Sequence, residues 1–250
     1  MDFVFLTAFG VGGATVIGAI FGFIFKNISH KFNDIILSFA SGIMLSAAVV
    51  GLIMPSLSSE PISILITVVG IFTGAIVLNL IDKIVPHLHR MADKDIEEHN
   101  PSQARIDKLL LFVLAIAMHN FPEGIAAGVG FGSDNPTQAL TIAGGIALQN
   151  IPEGMVIIAP MLAAGISKSK TFVIAAATGL IEVLGTLLGY YAVNISTAIL
   201  PFSLAFAGGT MLYIISDEMI PETHSHGNER SSTFALLVGF CVMLIMDFIL

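Results

Sequence analysis

Cysteine, tryptophan and charge are all scarce in this chain. One cysteine, Cys241, stands among 250 residues, and there is no tryptophan. A single thiol permits neither an intrachain disulfide nor a thiolate cluster, so a metal held here would need nitrogen, oxygen or thioether ligands. Charged residues make up 11% of the chain, against about 25% in a soluble domain. The formal net charge of -8 leaves no basic footprint for nucleic acid. Also missing is the apolar–polar alternation of membrane barrel strands. What is abundant is apolar sequence, 55% of the residues, in continuous runs.

Eight such runs can be drawn, at roughly 3–25, 34–57, 62–82, 109–131, 137–164, 171–192, 199–220 and 233–250, each near the about 20 residues that a membrane-spanning helix needs. The expectation is an all-α integral membrane protein: one transmembrane domain over 1–250, spanning the bilayer eight times. Met1-Asp2 brings no basic stretch ahead of the first run, so that run reads as a retained helix rather than a signal peptide. Connections are short except for about 83–108, a polar linker of mixed charge holding His87, His89 and His99.

The basic residues orient the chain. Lys26 and Lys31 fall in the first connection. Lys83, Arg90, Lys94, Arg105 and Lys108 fall in or beside the third, Lys168 and Lys170 in the fifth, and Arg230 in the seventh. The even-numbered connections and both termini have none. Odd-numbered loops are therefore expected in the cytoplasm and both termini outside it, in a multi-pass protein of the cell (inner) membrane.

Against this apolar background two hexapeptides stand out. His119-Asn120-Phe121-Pro122-Glu123-Gly124 and Gln149-Asn150-Ile151-Pro152-Glu153-Gly154 are one pattern, set in consecutive and hence antiparallel segments. On a helix, residues i and i+4 share a face, so His119 points with Glu123 and Gln149 with Glu153. Pro122 and Pro152 remove a helical hydrogen bond each and free the carbonyls of Met118 and Leu148. Glu123, Glu153 and Glu182 lie mid-segment, and Asp217 and Glu218 deep in the seventh. A charge at the bilayer centre costs about 2.5–3.5 kcal/mol on insertion scales, and no Lys or Arg lies mid-segment to offset it. The acids must be protonated, line water or bind a cation. Imidazole, carboxylate and amide oxygen suit Zn²⁺ or a similar first-row ion. On spacing alone Met44 and Met211 read as core filler, and Asn120, Asn150 and Gln149 serve equally as interhelical glue.

A second echo links Phe39-Ala40-Ser41-Gly42-Ile43-Met44-Leu45 to Phe206-Ala207-Gly208-Gly209-Thr210-Met211-Leu212, each followed by a proline, Pro55 and Pro221. Those segments also run in opposite directions, as in an inverted-repeat transporter with its site near the midplane. Small residues four apart, at Gly18/Gly22, Gly70/Gly74, Gly124/Gly128 and Gly185/Gly189, permit close helix approach, within the chain or across a homodimer.

With these motifs the chain resembles the ZIP family of divalent-metal transporters, and Gln at the head of the second hexapeptide resembles its prokaryotic GufA-like branch. The resemblance implies import of Zn²⁺, or of Fe²⁺, Mn²⁺ or Cd²⁺, which share these ligands, through a site of one or two ions. It implies that Met44, His119, Glu123, Gln149 and Glu153 form one position. Asn120, Asn150 and Glu182 would form the other, bridged by Glu123 and Glu153, with Asp217 and Glu218 along the path. Asn150 stands where some members have Asp, and a neutral ligand weakens the second position. Read from the sequence itself rather than from the resemblance, the His224-Ser225-His226 stretch of the seventh connection is either solvated or a receiver of metal at the exit. A proton- or sodium-coupled carrier is the rival reading. An intramembrane metalloprotease is not supported, because His119-x-x-x-Glu123 lacks the second imidazole of His-Glu-x-x-His.

Overall fold

Helices form wherever the apolar runs lie, because a backbone in lipid must satisfy its own hydrogen bonds. The computed structural model describes residues 2–25, 29–57, 61–84, 101–132 and 136–249. Among them are eight long helices and no strand: α1 (Asp2–Ile24), α2 (His30–Ser56), α3 (Pro61–Ile84), α4 (Pro101–Gly130), α5 (Pro136–Ala163), α6 (Lys168–Ile195), α7 (Leu200–Thr223) and α8 (Glu229–Ile249). α1, α2, α3, α5, α6, α7 and α8 are each long and apolar enough to cross a membrane.

Local chemistry sets several of the ends. Ser29 caps α2 by accepting from the Phe32 amide at 3.2 Å, and Ser167 caps α6, each supplying a partner to a first-turn N–H. Gly165 and Gly227, at φ 84 and 77, make the left-handed turns that close the α5–α6 and α7–α8 connections. The third connection is shorter than its charge suggested. Pro101 to Lys108 already belong to α4, while His87, His89 and His99 lie outside the described residues.

Two helices change pitch within the span. Ala47–Ile53 of α2 and Ile215–Met219 of α7 are π-helical, and the amides of Met54 and Ile220 reach back five residues, to Val49 and Ile215. Pro55 and Pro221 follow at once. Neither has an N–H to give the carbonyl four residues earlier, and a wider turn is one way to re-seat the backbone.

The helices pack in two groups. In one, α4 lies along α6, α1 along α5, and α1 meets α6; in the other, α2 lies along α8, α3 along α7, and α2 meets α7. Contacts of α2 with α5 and of α4 with α7 join the groups. Each tight pair is seated on glycine: Gly124 on the carbonyl of Glu182 and Gly185 on that of Phe121, Gly18 on Ile151 and Gly154 on Thr15, Gly42 on Leu236 and Gly239 on Phe39, Gly74 on Phe206 and Gly209 on Ile71. Contacts advance in the same sense along both partners, Gly124 to Glu182 and Gly128 to Thr186, so α4 and α6 run parallel. The core between the groups contains Ile43, Met44, Ala126, Ile146, Met211 and Ile214, all fully buried. The outer faces of α3 and α8 expose Leu65, Phe72, Ile76, Phe234, Val238 and Ile245, and Cys241 is exposed on α8.

Candidate metal centre

The two hexapeptides meet where α4 and α5 cross. Both helices run on through their prolines, and α5 is interrupted only at Ile157, a single turn residue before Ile158–Ala163. The polar side chains this places in the interior are almost wholly withdrawn from the surface. Glu123, Gln149, Asn150 and Glu182 are 0% exposed, Asn120 1% and Glu153 8%. Glu123 lies within electrostatic reach of Glu153 and Glu182 and beside the Gln149 amide, and Glu153 within reach of His119. Three carboxylates from three helices thus share one interior region. No Lys or Arg occurs between Lys31 and Lys83, Lys108 and Lys168, or Lys170 and Arg230.

The hydrogen bonding divides this region in two. On one side, both oxygens of Glu123, both side-chain polar atoms of Gln149, Oε1 of Glu153 and Oδ1 of Asn120 are buried without a hydrogen-bond partner. Orphaned buried polar atoms are costly, and here all but Gln149 Nε2 are acceptors, so a cation is a natural complement. On the other side, Glu182 is held: its Oε1 accepts from Asn150 Nδ2 and its Oε2 from Thr15 Oγ1 at 3.3 Å. Asn150 Nδ2 also donates to the carbonyl of Val11 at 3.2 Å. Thr15 and Val11 bring α1 into the site, which the sequence reading did not foresee. A signal existed: Gly12-x-x-Thr15-Val16-x-Gly18 and Gly179-x-x-Glu182-Val183-x-Gly185 are one pattern.

His119 is ion-paired through Nε2 with Glu218 Oε2 at 2.6 Å. Glu218 sits in the π-helical stretch of α7, so this pair links the two helix groups at the edge of the site. Asp217 is exposed beside it. Met44 is fully buried on α2, in the core cluster that includes Ala126 and Ile146, residues within a turn of Glu123 and Gln149. Among the described residues no three His, Cys, Asp or Glu side chains converge closely enough to hold an ion by themselves. An ion held here would have to draw on amide oxygens as well as carboxylates.

A separate polar cluster gathers His30, Asp34, His226 and Asn228 at one end of the bundle. His226 Nδ1 meets Asp34 Oδ1 at 3.1 Å, Asn228 Nδ2 donates to Asp34 Oδ2 at 2.9 Å, and the His30 and His226 rings lie 5.3 Å apart. His224 is used locally, Nδ1 against the Ile220 carbonyl at 2.8 Å and Nε2 against Thr233 at 3.2 Å. These contacts pin the α7–α8 turn to the start of α2.

Comparison with known proteins identifies the family. Residues 89–247 match the family described as ZIP Zinc transporter. The chain is 41% identical to the zinc transporter GufA of Myxococcus xanthus over 71% of this chain and 68% of that protein. It is 33% identical to the zinc transporter ZIPB of Bordetella bronchiseptica over 94% and 77%, and 35% identical to the zinc transporter ZupT of Chlorobaculum parvum over 97% and 96%. A helical multi-pass chain with paired Pro-Glu-Gly hexapeptides at its centre and relatives at this identity along nearly its full length belongs to the ZIP family, within its prokaryotic GufA-like members.

Proposed function

We propose that the chain carries Zn²⁺ across the cell (inner) membrane into the cytoplasm. It is a transporter, not an enzyme, and the metal is its cargo. The observation that carries the reading is the pair of unpartnered oxygens on fully buried Glu123, with Glu153 and Gln149 beside it. A divalent ion there neutralises the carboxylates, satisfies the orphaned acceptors and offsets the cost of keeping charge in the membrane interior. His119, Glu123, Gln149 and Glu153 hold the ion, with Met44 as a thioether donor. Asn120, Asn150 and Glu182 are where a second ion would be held. Fe²⁺, Mn²⁺ and Cd²⁺ suit the same donors and compete for it. For His119 to serve as ligand it must share or leave Glu218, which places Glu218, and Asp217 next to it, on the path of the ion.

The helix packing supports an inverted repeat. The α4–α6 contact has its counterpart in α5–α1, α2–α8 in α7–α3, and α2–α5 in α7–α4. Glycine seats and π-helical stretches fall in matching places. Alternating access then follows as movement of the group holding α4 and α5 against the group holding α2 and α7, as inverted repeats allow. Odd-numbered loops face the cytoplasm and both termini the outside, the whole forming one transmembrane unit; the outward apolar faces meet lipid and, in a homodimer, each other.

The test is uptake of radioactive zinc by proteoliposomes. Wild-type protein is expected to load the vesicles, and Glu123→Ala or Glu153→Ala to fall to the protein-free background. Uptake surviving in either variant sinks the assignment. A proton or sodium current without zinc uptake would transfer the glutamates to a carrier of another kind.

A further inference from the structure

The second ion position is occupied in chemical terms by the protein itself. Asn150 lies between two acceptors, the Val11 carbonyl and the Glu182 carboxylate, and an amide meets two acceptors only with its NH₂ group. That chemistry fixes which way the side chain faces. An amide nitrogen has no lone pair free for a cation, so toward Glu182 the chain presents a donor where a ligand would have to be an acceptor, and Oδ1, buried and unpartnered, is the one acceptor Asn150 keeps. The other oxygen of Glu182 takes the Thr15 hydroxyl. Val11, Thr15, Asn150 and Glu182 are 2%, 1%, 0% and 0% exposed, and they come from α1, α5 and α6. Both oxygens of Glu123 and Oε1 of Glu153, by contrast, are left without a hydrogen-bond partner.

Resting on the proposed metal-transport reading, we propose that Asn150 sets the ion count: this chain binds one metal ion at its centre, and the Asn150–Glu182–Thr15–Val11 cluster is a metal-free bracket tying α1 to α5 and α6. An aspartate at 150 would face the Val11 carbonyl and the Glu182 carboxylate with no proton to give either, and a cation would become the favoured partner of all three. The asparagine is therefore a specificity-determining residue for stoichiometry.

The experiment counts zinc on the full chain purified in detergent, by equilibrium dialysis and elemental analysis. The Glu123→Ala/Glu153→Ala double variant serves as the baseline, since it keeps every loop histidine. Wild type is expected to hold one ion more than that baseline, Glu182→Gln still one, and Asn150→Asp two. Two extra ions on wild type, or loss of the single ion in Glu182→Gln, would overturn the bracket, as would a folded Asn150→Asp protein that still holds one. No difference between wild type and the double variant would instead overturn the metal-site reading beneath it. Where Asn150→Asp fails to fold, the wild-type and Glu182→Gln counts decide.

Discussion

Thr15 shows how one hydroxyl can pass unnoticed in a membrane helix. Threonines in such helices commonly bond to their own backbone, as Thr7 does to the Phe3 carbonyl at 2.8 Å and Thr73 to that of Val69 at 2.7 Å. Thr15 instead reaches across to Glu182. A typical intramolecular hydrogen bond contributes about 0.5–1.5 kcal/mol net, so Thr15→Val, equal in shape, is expected to destabilise the protein by about 1 kcal/mol. Thr15→Ser is expected to cost much less. Thermal unfolding in detergent checks the difference, and equal midpoints for the two variants would remove Thr15 from the bracket. His119, Glu123, Glu153 and Glu182 were legible in the sequence because an imidazole or a carboxylate within an apolar run has few structural excuses. The His119–Glu218 ion pair was not, because nothing local ties the middle of α4 to the π-helical stretch of α7.

At the scale of elements, glycine decides which helices touch. A Cβ on Gly124 would land on the Glu182 backbone carbonyl, where no side chain can yield. Gly124→Ala is expected to cost about 1–3 kcal/mol as overpacking and to push α4 from α6, weakening zinc binding at Glu123. Gly144, also in a helix, is the control: its nearest neighbour is the tip of Met246 at 3.6 Å, so Gly144→Ala is expected to stabilise the protein by up to about 1 kcal/mol. Folded yield and thermal midpoints read both, and opposite signs are the expected result. The eight apolar runs foretold the eight helices well because hydrophobic length is what a membrane helix is selected on. Two features escaped that pattern. The start of α4 at Pro101 is hidden by Arg105, Asp107 and Lys108, which read as loop although charged residues form helix readily outside the apolar layer. The π-helical stretches carry no periodic signal of their own; only Pro55 and Pro221 hint at them.

The whole molecule is two helix groups meeting along α2–α5 and α4–α7, with the buried carboxylates in one group and Glu218 in the other. If the groups move against each other during transport, the His119–Glu218 contact must break and re-form. A cysteine pair at Ile43 and Ile146, which share the core between the groups, in a chain whose Cys241 is replaced by Ser, is expected to stop zinc uptake when oxidised. Uptake is expected to recover on reduction. Full uptake with the crosslink formed would mean that the groups do not part. The central claim, a metal seated among the carboxylates of α4 and α5, is tested most directly by an anomalous difference map at the zinc edge from zinc-soaked crystals. The account predicts a peak between Glu123 and Glu153, about 2.0–2.2 Å from their oxygens. Peaks confined to the loop histidines, with none among the buried glutamates, would contradict it.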